Sequence, residues 1–266
     1  MTVKLTAAPR DRASGKPPIH VVSARASENR ITSGQVKTEV KSNEITAVPE
    51  LLNLLVIKGC IVTIDAMGCQ KNIAEKITDK KADYVPALKG NQGDLSEDVE
   101  LFFNDTLENN FRNISSDCYE TIDGDCGRIE IRRYHTVSDI DWLSGKENWK
   151  NLNIIGMVES ERHIGDKVSI EHRFYISGME NDAKRFRVAV RSCQGIENSV
   201  HQVLDIGFRE DESRKRKGDS VFNFSVLRHI TMNLLRKETS VKNGMRTERM
   251  RAGQDDDYQA KVLAAV

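Results

Sequence analysis

Two carboxylates stand where chemistry could be built. Asp65 ends a run of β-branched and apolar residues, Cys60 to Ile64, and Ala66-Met67-Gly68 lets the chain turn after it. The run reads as a strand buried on both faces, the habit of a sheet covered by helices. That puts Asp65 at the C-terminal end of a strand, the edge of an open α/β sheet where sites collect. Glu197 follows 132 positions later and borders the apolar stripe Ile196, Val200 and Val203 of a helix, with Leu204 beside it. One acid from a strand end and one from a helix is how a chain assembles a divalent-metal site. Mg²⁺ takes oxygen ligands, keeps several waters and bridges to substrate phosphates. Two such ions clamp the attacking and leaving oxygens of an in-line displacement at phosphorus. From spacing alone, Asp65 reads equally well as the N-cap of the next helix.

Other side chains extend the candidate site. Lys89-Gly90-Asn91-Gln92 closes a second strand near the same edge. Its amides suit DNA phosphates or bases, and its Gly and Asn suit a plain turn. Arg214, Lys215, Arg216 and Lys217 form a basic cluster fit for phosphate contacts of salt-dependent affinity, or for a solvated loop. Arg191 and Asn198, on either side of Glu197, join the candidate DNA contacts. Asp205, Glu210 and Asp211 read as further ligands or as surface acids, and His201 as an orienter of Glu197 or a structural histidine. Cys193 beside Arg191 has no base-and-orienter arrangement to make it a nucleophile.

These residues need elements to place them. Residues 1–18 show no clear period and end in Pro-Pro, so a loose lead-in is expected. IHVVSARA (19–26) and ITSGQVKTE (31–39) read as short strands. Thr46 is the expected N-cap of a helix with Pro49 in its first turn, where a missing N–H costs nothing. A helix over about 70–81 should present Ile73, Ala74 and Ile77 to the sheet. DYVPALK (83–89) reads as a strand that Pro86 confines to a sheet edge. Asp94-x-x-Glu97 resembles a capping box opening a helix through Phe103. This order is that of an α/β domain. GRIEIRRYHTV (127–137) then alternates, and 151–179 reads as a hairpin around Gly165-Asp166. The expected divisions are the lead-in 1–18, a first part of the catalytic domain 19–109, a β-rich insertion 110–180, a helical remainder 181–238, and a loosely held basic polar tail 239–266.

Across 266 residues, 40 Lys/Arg balance 40 Asp/Glu, so the total says nothing of a polyanionic partner. The distribution does: residues 1–38 and 209–251 are basic, and 90–130 is acidic. Basic ends around an acidic middle suit a protein that meets a polyanion at selected surfaces. The five cysteines are scattered and form no C-x-x-C pair, which argues against a disulfide framework or zinc cluster and for a reducing compartment. With no signal peptide and no bilayer-length apolar run, the expected location is the cytoplasm.

SNEITAVPELL, GCIVTIDAMGCQKNIAEKI, DYVPALKGNQGDL, GIENSVHQVLD and FREDESRKRKG closely resemble the H-repeat-associated family of bacterial insertion-sequence transposases. The resemblance runs from about Asp11 to the C-terminus. It implies a ribonuclease H-like fold and a DDE site, two aspartates and a glutamate holding two Mg²⁺ or Mn²⁺ ions. Such sites cut transposon ends by hydrolysis and join the 3′-hydroxyl to target DNA. By the resemblance, Asp65 corresponds to the second acid and Glu197 to the third, both catalytic and both metal ligands. The implied partner is double-stranded DNA at transposon ends and target, with a homo-oligomer compatible, no membrane and no organic cofactor.

The chain also departs from the family. The first acid belongs in a D-G-K motif just upstream of Asp11-Arg12-Ala13-Ser14-Gly15-Lys16, and no acid occurs before Asp11. MTVKL stands in place of the fold's central first strand but is short, so a truncated or wrongly started copy, catalytically inactive as written, is expected. Cys193-Gln194 replaces a His-Trp pair and Gln202 a tryptophan; each loss of a buried Trp would cost about 2–4 kcal/mol. The expected function is a DDE transposase; the alternative is a non-catalytic remnant that binds DNA or a full-length transposase.

Overall fold

The alternating runs near the N-terminus form strands β1 (Thr2–Ala7), β2 (His20–Ala26) and β3 (Ile31–Lys37), followed by helix α1 (Glu44–Leu54). Next come β4 (Ile61–Ile64), α2 (Lys71–Asp79), β5 (Asp83–Leu88), α3 (Asp94–Glu108), β6 (Ser116–Asp125), β7 (Arg128–Val137), β8 (Ile154–Ile164), β9 (Lys167–Ser177) and α4 (Ala183–Ile196). Helices α5 (Gln202–Phe208), α6 (Ser220–Lys237), α7 (Met245–Ala252) and α8 (Asp256–Ala264) complete the chain. The structure is a computed structural model, which describes residues 2–7, 20–38, 44–109, 111–112, 114–125, 127–196, 202–210, 212–213, 219–241 and 243–265. It divides into two compact units, Met1–Leu55 with Gln194–Val266, and Val56–Cys193.

In the first unit, β1, β2 and β3 form an antiparallel meander. β1 pairs with β2 from Thr2↔Arg25 to Ala7↔His20. The expected lead-in therefore holds a strand, and TVKLTA does alternate apolar and polar residues as a strand requires. β2 has a neighbour where the sequence suggested a missing one. α1 begins at Glu44, so Thr46 lies inside the helix rather than capping it, and Pro49 lies inside it too. The helix buries Ala47, Val48, Leu51 and Leu52. α6 is tied to β3 by Asn233, whose amide accepts from the Thr32 N–H at 3.0 Å and donates to the Thr32 carbonyl at 2.9 Å. The expected loose tail is instead α7 and α8. Tyr258 and Val262 pack against Leu235 of α6, an apolar pair at helical spacing hidden within a polar segment.

The second unit is a six-stranded mixed sheet in the order β4-β5-β9-β8-β7-β6. β4 and β5 are parallel, Ile61↔Asp83 to Ile64↔Pro86, and the remaining pairs are antiparallel. β5 is thus an interior strand, and the edge position expected from Pro86 is corrected. The Asp83 N–H donates towards β4, to the Cys60 carbonyl at 3.0 Å. Alternation then turns Tyr84 and Pro86 towards β9, whose ladder with β5 begins only at Ala87↔Tyr175. The missing donor therefore falls at the start of that ladder, where it costs little.

This pairing also explains the unit's boundaries. Residues 110–180 do not stand apart from the strands before them. The Ser177 hydroxyl donates to the Tyr84 carbonyl at 2.6 Å, and Val85 shares a core with Tyr134, Ile154, Val158, Tyr175, Phe186 and Val190. α2 buries Ile73, Ala74 and Ile77 as its period requires. α3 starts after Gly93, whose φ of 47° suits glycine, and runs to Glu108, so the expected Asp94 cap is not made. β6, which the sequence reading missed, supplies Asp117, whose carboxylate accepts from the Ala183 N–H at the start of α4 at 2.8 Å.

Candidate active site

The carboxyl ends of β4 and β5 lie side by side because the strands are parallel. Asp65 leaves β4 with φ −68° and ψ 176° and caps a single 3-10 turn, Ala66–Gly68. Its Oδ1 accepts from the Gly68 N–H at 3.2 Å, and the side chain is exposed. The capping reading of Asp65 is thus realised, but over a short turn rather than over α2. A carboxylate has about four lone-pair sites. One cap bond fixes the rotamer and leaves hard oxygen capacity facing outward, so cap and metal ligand are compatible roles.

The turn is tight. A Cβ on Gly68 would stand 2.1 Å from Ile64 Cγ2, and Ile64 is buried. Only glycine passes there.

The Lys89–Gln92 segment closes over this turn. Asn91 Nδ2 donates to the Ala66 carbonyl at 2.8 Å, and Gln92 Nε2 donates to the Cys69 carbonyl. Two amides read from sequence as DNA contacts therefore give N–H groups to the backbone behind Asp65. Lys89 is exposed at the head of the segment. Asn91→Ala would leave the buried Ala66 without this donor. The expected cost is about 1 kcal/mol in urea unfolding, with faster amide exchange at Gly68. Unchanged exchange would show the clamp to be idle.

Cys69, just past the turn, is fully buried, and burial pushes its thiol up to about 12. It remains a protonated hydrophobe, so the donor set here is oxygen. That suits Mg²⁺ or Mn²⁺ and not a thiolate-seeking metal. Among the described residues no three His, Cys, Asp or Glu side chains gather as a metal site.

Glu197, Asn198, His201, Asp211 and Arg214 to Lys217 lie outside the described residues. Arg191 is exposed on α4, 3.7 Å from Asp123 of β6. Glu210 is committed elsewhere, in a 3.2 Å pair with Arg228. Burial raises its carboxyl above the ordinary value, and Arg228 opposes that shift. Asp205 is exposed on α5. No described helix is long and apolar enough to cross a membrane. Sequence reasoning missed Gly68 as the lock of the turn and the clamp made by Asn91 and Gln92.

A family model described as a transposase DDE domain matches residues 4–234. The chain is 43% identical over 260 residues to "Putative transposase YncI" of Escherichia coli O157:H7, covering 96% of this chain and 66% of that protein. It is 40% identical over 260 residues to "H repeat-associated putative transposase YhhI" of Escherichia coli K12, covering 96% and 68%. The chain spans about two thirds of the length of these curated relatives. Among solved structures it resembles the piggyBac transposase in a synaptic complex with hairpin DNA. The TM-score is 0.50 at 10% identity, over 99% of this chain and 51% of that one. That likeness is one of fold, a mixed α/β architecture of the ribonuclease H-like kind.

Proposed function

The chain belongs to the transposase DDE-domain family, and from that membership we propose that it is built for metal-dependent cleavage and strand transfer of insertion-sequence ends. The observation that carries the reading is Asp65, an exposed carboxylate fixed by its own cap at the carboxyl end of a buried strand. Asp65, with Glu197, would hold Mg²⁺ or Mn²⁺. The ions supply charge neutralisation at the attacking and leaving oxygens of the phosphodiester. The chain's own share is placement. The Gly68 turn aims Asp65 outward, Asn91 and Gln92 hold that turn from behind, and exposed Lys89 offers a cation to a neighbouring phosphate. The polyanion is double-stranded DNA, and the basic run Arg214 to Lys217, with Asn198, belongs to its contacts.

A second reading, a DNA-binding chain that does not join ends, is favoured by one observation. Of the three acids that the resemblance implies, the strand β1, TVKLTA, carries none. Pre-cleaved insertion-sequence ends mixed with a plasmid and Mg²⁺ or Mn²⁺ separate the readings. The expected result for this chain alone is end binding without joined product. Joined product that disappears in both Asp65→Asn and Glu197→Gln would show that a third ligand is supplied and that the chain is a working transposase. Failure to bind the ends at all would remove both readings.

A further inference from the structure

The sheet of β6 to β9 sorts its charges by face. On the face towards α4, the Glu130 carboxylate is 5% exposed and is held by three guanidinium groups, those of Arg128, Arg132 and Arg162. Strand alternation puts residues 128, 130 and 132 on one face, and the register sets Glu130 opposite Arg162 and Asp123. Arg132 also reaches Asp123 at 3.1 Å, and Arg191 of α4 stands 3.7 Å from the same carboxylate. Four arginines thus surround two carboxylates. The opposite face inverts the pattern, with Arg133 held among Glu120, Glu159 and Glu161. Around Glu130 and Asp123 the arginines outnumber the carboxylates four to two, and around Arg133 the carboxylates outnumber the arginine three to one.

The cationic side is also ordered. Burial raises the Glu130 carboxyl, but the surrounding arginines outweigh burial and hold it below the ordinary carboxylate value, so it stays charged. Each guanidinium has five donors in a rigid fork. Glu130 uses some of them and fixes the plane of the rest, while Arg128, Arg162 and Arg191 remain close to half-exposed. Much of the ordering cost of a new contact is therefore met before a ligand arrives. A network that only stabilised the fold would have no need of surplus cations on one face.

We propose that Arg128, Arg162 and Arg191, set in place by the buried Glu130 and by Asp123, form a cradle for the phosphodiester backbone of duplex DNA on the α4 face of the β6–β9 sheet. The identity of the polyanion rests on the transposase reading. The contact is to backbone and carries no sequence preference.

Binding of a short duplex of arbitrary sequence, without divalent metal, tests it by fluorescence anisotropy from about 50 to 200 mM salt. Arg128→Gln/Arg162→Gln should lower the slope of log affinity against log salt by about 2, with an affinity loss on the order of 50-fold near 0.1 M salt. Both side chains are half-exposed, so the fold should persist, as circular dichroism can check. Glu130→Gln adds a net positive charge. Undirected electrostatics would then tighten binding, whereas a cradle that has lost its organiser weakens it. An unchanged slope in the double variant, or no duplex binding by the unaltered chain, would overturn the cradle. The assay uses neither metal nor insertion-sequence ends, so its failure would leave the Asp65 reading standing, and failure at Asp65 would leave the cradle standing.

Discussion

Gly68→Ala is expected to destabilise the second unit by about 1–3 kcal/mol, the usual range for overpacking, and to disorder the turn that carries Asp65. The added Cβ would lie 2.1 Å from Ile64 Cγ2 and 3.3 Å from Ile64 Cβ. Ile64 is the last residue of β4 and is buried, so it cannot retreat without moving the strand. If the turn opens, Asp65 loses the Gly68 N–H that fixes its rotamer. The cause can be isolated. Ile64→Ala should cost less in the Gly68→Ala background than in the unaltered chain, because it removes the atom that clashes. Urea unfolding of the four proteins gives the cycle. Equal stability of Gly68→Ala and the unaltered chain would mean that the close approach does not constrain the turn.

Phe186→Ala should be costlier, about 3–5 kcal/mol for a fully buried aromatic ring. Phe186 is 0% exposed and anchors α4 on the sheet, edge-on to Tyr175 with ring centroids 5.4 Å apart. Its ring lies over Gly156 of β8, where a Cβ would stand 2.6 Å from Cζ. Gly156→Ala should therefore cost about 1–3 kcal/mol by pushing the ring away. The double variant should cost less than the sum, since the alanine methyl fills part of the space the ring vacates. Additive costs would break the link between this glycine and the seating of α4. The seating bears on function because Glu197 is the next residue after the end of α4 in the sequence.

The parts of the fold that could be read from sequence are those where pattern and burial coincide. The run Ile61 to Ile64 is β-branched throughout and is buried on both faces from Val62 on, and Ile73, Ala74 and Ile77 recur at helical spacing because one stripe of α2 is buried. β6 escaped because SDCYETIDGD is an acidic edge strand whose side chains mostly face solvent, leaving no hydrophobic period to see. Pro86 misled because a proline forbids a donor on one side of a strand only, and which side meets an incomplete ladder is a matter of register. α7 and α8 escaped because a few buried residues such as Tyr258 and Val262 hold two otherwise polar helices.

The site divides in the same way. The position of Asp65 was legible, because a run of β-branched residues that ends on an acid marks the end of a buried strand. The bonds that Asn91 and Gln92 give to the Ala66 and Cys69 carbonyls were not legible, since the same amide N–H can meet a phosphate or a carbonyl. The Glu130 cluster left a signal that was passed over. Arg-x-Glu-x-Arg in an alternating strand places all three charges on one face.

The role proposed for Asp65 is that of a metal-binding carboxylate held ready by its turn. The most direct measurement is paramagnetic broadening of backbone amide resonances during a Mn²⁺ titration, in the unaltered chain and in Asp65→Asn. Asparagine caps as well as aspartate, so the variant keeps the turn and removes only the charge. The amides of Asp65 to Gly68 are expected to broaden at low Mn²⁺ in the unaltered chain and to stay sharp in the variant. Broadening that ignores these amides, or that persists in Asp65→Asn, would contradict that role and leave Asp65 as a helix-turn cap.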